Sequence, residues 1–412
     1  MIIDSGALRR RLASLPALMT LSVLTRLLVN TANQLFFPFL GVMAAGLHMD
    51  TVTLGRLVGL RSLMGIFAPL FGSAADRWGY RGAMRAELLI GVAGLLLVGS
   101  SNGFWPAFVG MLLLGLGFYS FVPTLRAYLS FQLPYAQRAR GFGILEYSWA
   151  LSGILGLSLM GFLIDRVGWR APFFVLAAAL MVTWAIFGAL PATPRAAFSA
   201  GPHPTPLWGM RVIHYFALAT NRVSSWNAIL SGALISFGVL HLFTAYGAWL
   251  ADVYGLNAGQ LGVVALIFGC TDLCGSVLVS VITDGMGKRR SVIAGLAGCV
   301  VLFGLLPWLA QTLVWTVGAL ALGRFFFEFA TVSHMSLVSE QVPTQRGKVV
   351  SLSAALSIVG AALAGFTGPL AYAQWGVWGL APVSAVVMAV SIVQVWGWVR
   401  EPEEGAFVEA EA

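Results

Sequence analysis

The chain has 412 residues; 58% are hydrophobic, only 10% are charged, and 24 basic against 16 acidic side chains leave a formal net charge of +8. Soluble domains carry about 25% charged residues, and no soluble core absorbs this much apolar surface. A soluble enzyme, a disordered chain and a disulfide scaffold are thereby excluded. The composition is that of a polytopic membrane protein whose partner is the lipid bilayer, not nucleic acid.

A membrane-crossing helix needs about 20 mostly apolar residues. Twelve such runs follow one another. The first six are Pro16–Leu47, Thr53–Ala75, Ala83–Ser100, Trp105–Leu129, Gly141–Ile164 and Pro172–Leu190. The second six are Trp226–Leu250, Gly259–Thr283, Ser291–Leu309, Leu313–Ser339, Val349–Tyr372 and Trp375–Val399. Their length marks helices, because barrel strands run to about ten alternating residues. The expected fold is therefore all-α, with twelve transmembrane helices in two sets of six. Residues 1–190 form the N-terminal half and 223–400 the C-terminal half. Between them, 191–222 is a linker with prolines at 191, 194, 202, 204 and 206, in which Leu207–Ala219 reads as a short surface helix. Residues 401–412 are a solvated acidic tail.

Cys270 and Cys274 lie one helical turn apart and Cys299 in another run, with no histidine at ligand spacing. They read as small apolar helix residues, and no metal or other cofactor is expected. Arg9, Arg10 and Arg11 precede an apolar run too long for a signal peptide, and no cleavage site follows. If the N-terminus is cytosolic, 17 of the 24 lysines and arginines fall in cytosolic segments, which predicts that both termini and the linker face the cytosol of a cell membrane.

The two halves echo each other. Gly72…Asp76-Arg77-Trp78-Gly79-Tyr80-Arg81 follows the second span, and Asp284-Gly285-Met286-Gly287-Lys288-Arg289 follows the eighth, 208 residues later. Leu133-Pro134…Arg138 is matched by Val342-Pro343…Arg346 at nearly the same offset. A constant offset over several features is the mark of internal duplication, common in transporters.

Twelve spans, a central linker and these paired loops resemble the major facilitator superfamily over the whole chain. The loop at 72–81 looks like that family's signature between helices 2 and 3, and 284–289 like its weaker copy between helices 8 and 9. Gly168-Trp169-Arg170-Ala171-Pro172-Phe173 is similar to the drug and metabolite proton antiporters of the family. Two features depart from that pattern: span four has no arginine near its start, and span five reads Ser152-Gly153-Ile154-Leu155-Gly156 without a Gly-Pro pair. The resemblance implies a gating role for Gly72, Asp76, Arg77, Gly79, Arg81, Asp284, Gly287, Lys288 and Arg289.

Ionisable residues inside a membrane cost at least about 2.5–3.5 kcal/mol each near its centre, so each is a functional candidate. Span one carries Arg26, Asn30, Asn33 and Gln34 on one helical face, which reads as cavity lining or as helix–helix hydrogen bonding. Further candidates for substrate or proton binding are Arg61, Glu146, His241, Asp272, Arg324 and Glu328. Arg324 and Glu328 are four residues apart and able to pair, leaving Asp272 as the better proton carrier. Arg126 and Glu146 read as a structural or gating pair, and Glu87 as part of the cytosolic opening turns of span three.

These readings converge on a monomeric secondary transporter of a small organic molecule, working by alternating access with a proton gradient as its energy source. Proton-coupled efflux is the first expectation and transport of an organic anion or carboxylate the second. A membrane sensor is a third, weakened by the lack of long loops. No ATP-binding loop or nucleophile–base spacing marks an enzyme.

Overall fold

The computed structural model describes residues 14–191, 218, 221–342 and 345–401. The expected surface helix at Leu207–Ala219 and the tail beyond Glu401 lie outside these residues, Leu218 apart.

In the first repeat the helices are α1 (Leu15–Gln34), α2 (Phe36–Gly46), α3 (Thr51–Leu63), α4 (Ala68–Trp78), α5 (Tyr80–Ser100), α6 (Phe104–Gln132), α7 (Tyr135–Leu151), α8 (Ser158–Val167) and α9 (Ala171–Phe187). The second repeat has α10 (Arg222–Phe243), α11 (Tyr246–Tyr254), α12 (Ala258–Met286), α13 (Lys288–Leu309), α14 (Leu313–Glu340), α15 (Arg346–Trp375) and α16 (Val377–Trp398).

Among the described residues, 11 helical segments are long and apolar enough to cross a membrane. The sixth expected span is the shorter apolar helix α9, of 17 residues. Large apolar side chains such as Trp105, Val314 and Trp396 are exposed. An apolar exterior on helices of this length is that of an integral membrane protein.

Several spans are interrupted for visible reasons. Span one is two helices, because Pro38 has no N–H to bond back along the chain and Phe39 leaves helical geometry (φ −109°, ψ 18°). Span seven breaks at the corresponding place of the second repeat, where Ala245 has φ −107° and ψ −5°. A 3₁₀ turn, Met64–Phe67, separates α3 from α4 just ahead of Pro69, and a π-helical turn, Ser152–Leu157, joins α7 to α8. Asp50 caps α3: its Oδ1 accepts from the Thr53 backbone N–H at 2.6 Å.

The chain forms two compact units. The first comprises Met1–Arg195, Phe243–Leu273 and Gly365–Gly376; the second comprises Ala196–Leu242, Cys274–Ala364 and Val377–Ala412. Inside the first unit, Asp165 at the end of α8 accepts from the backbone N–H groups of Ala258 (3.1 Å) and Gly259 (2.7 Å). A carboxylate there meets both the unsatisfied N–H groups and the positive end of the α12 dipole.

Candidate functional site

The polar residues of the first unit converge on α1, α3, α6 and α7. Arg26 on α1 clasps Glu146 on α7 with both guanidinium ends, Nη1 to Oε1 at 2.9 Å and Nη2 to Oε2 at 2.7 Å. Arg126 on α6 donates to the same Oε1. One carboxylate thus serves two cations and the cluster keeps an excess positive charge. Arg26 is buried, whereas the side chains of Glu146 and Arg126 are 43% and 38% exposed. The pairing expected of Arg126 and Glu146 is present, and Arg26 joins it.

Two further residues of the span-one stripe bond between helices. Asn30 donates to Ser148 Oγ (3.1 Å) and Gln34 to Ser152 Oγ (2.6 Å), which zips α1 to the α7 region. Asn33 Oδ1 is buried and accepts no hydrogen bond among the described residues. Arg61 is 1% exposed on α3, its guanidinium carbon 4.9 Å from the centre of the Phe36 ring. Gly115 allows this: a Cβ there would lie 2.3 Å from the Arg61 carbonyl oxygen, so only glycine lets α6 approach α3 so closely. Arg56 is exposed.

Glu87 lies in the opening turns of α5, and the structure adds that it is packed there: it is 0% exposed, with Thr124 Oγ1 2.8 Å from its Oε1 and no hydrogen bond to its Oε2 among the described residues. The Thr124 hydroxyl also lies 3.0 Å from the Ser120 carbonyl. It has one proton for two acceptors, and both are satisfied when Glu87 carries a proton and donates to Thr124. The basic side chains of α5 point elsewhere: Arg81 to the Leu190 carbonyl, Arg85 over the Trp184 ring. Hydropathy places Glu87 near the start of a span; only its partner 37 residues away shows how deep it lies.

Asp272 is 2% exposed on α12, in the first unit. In the second unit, Arg324 is buried, 5.5 Å from the centre of the Phe327 ring, and Glu328 Oε1 accepts from Ser276 Oγ at 2.9 Å. His241 is buried and its Nε2 donates to the Gly379 carbonyl at 3.2 Å. His334, which sequence reasoning passed over, is also buried; its Nε2 lies 2.9 Å from both the Ala228 carbonyl and Ser231 Oγ. An ionisable residue inside an apolar run was the available signal.

At the loops, Gly79 and Gly287 have positive φ of 92° and 88°, a conformation that favours glycine. Each ends one helix and starts the next. Arg81 donates to the Leu190 carbonyl (3.0 Å) beyond the end of α9, and Arg289 to the Val395 (3.2 Å) and Trp396 carbonyls at the end of α16. The Arg289 backbone N–H also bonds Glu401. Both arginines thus tie the third span of a repeat to its sixth, meeting the negative end of that helix. Lys288 pairs with Glu340. Asp76 and Arg77 are exposed, and Asp76 Oδ1 accepts from the Tyr80 hydroxyl at 2.6 Å. Gly72 has open space around it. The Asp284 side chain lies outside what the structure describes.

The family model of the Major Facilitator Superfamily matches residues 23–257 and 228–412, which is nearly the whole chain and a separate match for each repeat. The chain belongs to the Major Facilitator Superfamily. It is 26% identical over 353 residues to the MFS-type transporter YceJ of Bacillus subtilis (strain 168), covering 82% of this chain and 86% of that one. It is 24% identical over 351 residues to the multidrug resistance protein MdtG of Proteus mirabilis (strain HI4320), covering 82% and 83%. A variant of the nucleoside transporter NupG has the same fold, with a TM-score of 0.75 at 15% identity, covering 92% of this chain and 98% of that one. This member of the superfamily is a membrane transporter.

Proposed function

We propose that this transporter exports small organic molecules in exchange for protons, by alternating access, as a monomer in the cell membrane. Both termini and the 191–222 linker face the cytosol, a reading that the distribution of basic residues supports. The two repeats are the rocking halves, and α9, as the sixth span, brings the count of spans to twelve; its 17 residues rise about 25 Å, at the short end of what a bilayer needs. The similarity to MdtG and the Gly168–Phe173 segment support efflux.

The observation that carries proton coupling is the burial of Asp272. A carboxylate deep in a membrane helix is kept only where a partner or a proton takes up its charge. Glu328 and Arg324 form the second polar group of the pathway, and Asp76 and its copy at 284 bias the two orientations. Asp76→Asn therefore slows transport while leaving substrate binding nearly intact, since it acts only through the population of the competent state. The deciding experiment is transport by Asp272→Asn in proteoliposomes, with and without an imposed pH gradient. The variant should exchange substrate normally and lose gradient-driven accumulation. Accumulation equal to wild type would remove Asp272 from the coupling path.

A further inference from the structure

Arg61 differs from the other intramembrane cations of the first unit. Arg26 and Arg126 share Glu146, and Arg56 is exposed. Arg61 is buried, and its Nε and Nη1 have no hydrogen-bond partner among the described residues. The Phe36 ring and the Tyr119 phenol lie beside it, and Ser62 Oγ lies 3.4 Å from the Tyr119 hydroxyl. An aromatic face offsets only part of the cost of holding a guanidinium in hydrocarbon. The carboxylates on neighbouring helices are engaged elsewhere, Glu146 with two arginines and Glu87 with Thr124.

The place is also telling. Arg61 lies ten residues beyond the start of α3, about 15 Å along it, near the middle of a hydrocarbon core about 30 Å thick. Tyr119 and Arg126 are seven residues apart on α6, so the two cationic groups meet one helix face about 10 Å apart. Phe36 opens α2 just ahead of the kink at Phe39, and the second repeat is interrupted at the corresponding Ala245. Helices broken at matching positions of two repeats border the substrate region in transporters.

We propose that Arg61, with Tyr119 and Ser62, binds the anionic head of the substrate, and that the substrate class is a small organic carboxylate. This rests on the transporter reading above and narrows its substrate. The free guanidinium N–H groups and the Tyr119 hydroxyl donate to the carboxylate oxygens, and the Phe36 ring stands beside that head. A monoanion balances the single Arg61 charge, whereas a phosphate dianion leaves net negative charge in the membrane interior.

The test is thermal unfolding of the purified full chain with benzoate, benzamide or inorganic phosphate at matched ionic strength, for wild type, Arg61→Met and Arg61→Lys. Saturating benzoate should raise the wild-type Tm by about 2–4 °C, and benzamide and phosphate should do far less. Without additive, Arg61→Met should melt at or above wild type, because it removes an unmatched charge, and it should not distinguish benzoate from benzamide. Arg61→Lys keeps the charge and should retain a reduced preference. Three results overturn the inference: no benzoate preference in the wild type, preference retained by Arg61→Met, or Arg61→Met melting below wild type without additive. Proton-driven ethidium efflux by the same preparations reports on transport separately. Efflux without an Arg61-dependent benzoate effect keeps the transporter reading and removes this one. An Arg61-dependent benzoate effect without transport of either compound does the reverse.

Discussion

Gly79 and Gly287 hold almost the same backbone, with ψ of 138° and 142°, and Arg81 and Arg289 each tie the third span of their repeat to its sixth. Around these matched corners the repeats bury different chemistry. The first holds Arg26 and Arg126 on one carboxylate, an unmatched Arg61, and Glu87 against Thr124. The second holds a histidine between Ser231 and the Ala228 carbonyl, and Glu328 on Ser276. The first repeat joins span one to span five by amides that bond Ser148 and Ser152, whereas in the second repeat Gly232 lies packed against Ser353 and Ser357. Duplication explains the corners, which do the same mechanical job twice. The divergent interiors are where transport chemistry is to be sought, and the cationic recognition proposed above is assigned to the first repeat.

The largest expected effect separates the two repeats directly. Glu146→Ala strands Arg26 and Arg126 and should cost about 3 kcal/mol, the low end for breaking a buried pair because Glu146 is partly exposed. Lys288→Ala breaks the half-exposed pair with Glu340 and should cost about 1 kcal/mol or less. Denaturation of both variants in one detergent measures the gap; equal losses would mean that the first repeat's cluster is ordinary scaffolding.

Glu87 sharpens the same contrast. Glu87→Ala empties a packed site, while Thr124 keeps its bond to the Ser120 carbonyl, at a cost of about 2–3 kcal/mol. Glu87→Gln should cost under about 1 kcal/mol, because its amide donates to Thr124 as a protonated carboxyl does. A Gln variant as damaged as the Ala variant would show that the site needs the ionised form.

The smallest effect belongs to the loops. Asp50→Ala should remove about 1 kcal/mol or less of helix capping. The Thr53 backbone N–H holds the Asp50 carboxyl below its usual range, so the cap is fully present above the ordinary carboxylate range. It is lost as pH falls through that lowered value. The Tm difference between variant and wild type should therefore be largest near neutrality and close in acid; a gap that widens in acid contradicts the capping account.

Much of this was legible in sequence because a bilayer demands long apolar runs and penalises charge inside them. The apolar runs and most intramembrane ionisable residues follow from that demand, and the paired loops from internal duplication. Partnerships were not legible: Arg26 and Glu146 are 120 residues apart, and no pattern on α1 states whether Asn30 faces a cavity or Ser148. The burial of Glu87 was not legible because hydropathy gives position along a run, whereas the burial comes from α6 packing over it. Pro38 was visible, but its effect depends on whether the helix continues past it, which neighbouring helices decide.

The central claim is proton-driven transport through a first repeat that recognises substrate by its cations. The most direct measurement is uptake of radiolabelled benzoate into proteoliposomes under an imposed pH gradient, comparing wild type, Asp272→Asn and Arg61→Met. The account predicts accumulation above equilibrium in wild type, exchange without accumulation in Asp272→Asn, and neither in Arg61→Met. Equal accumulation by all three proteins would contradict it.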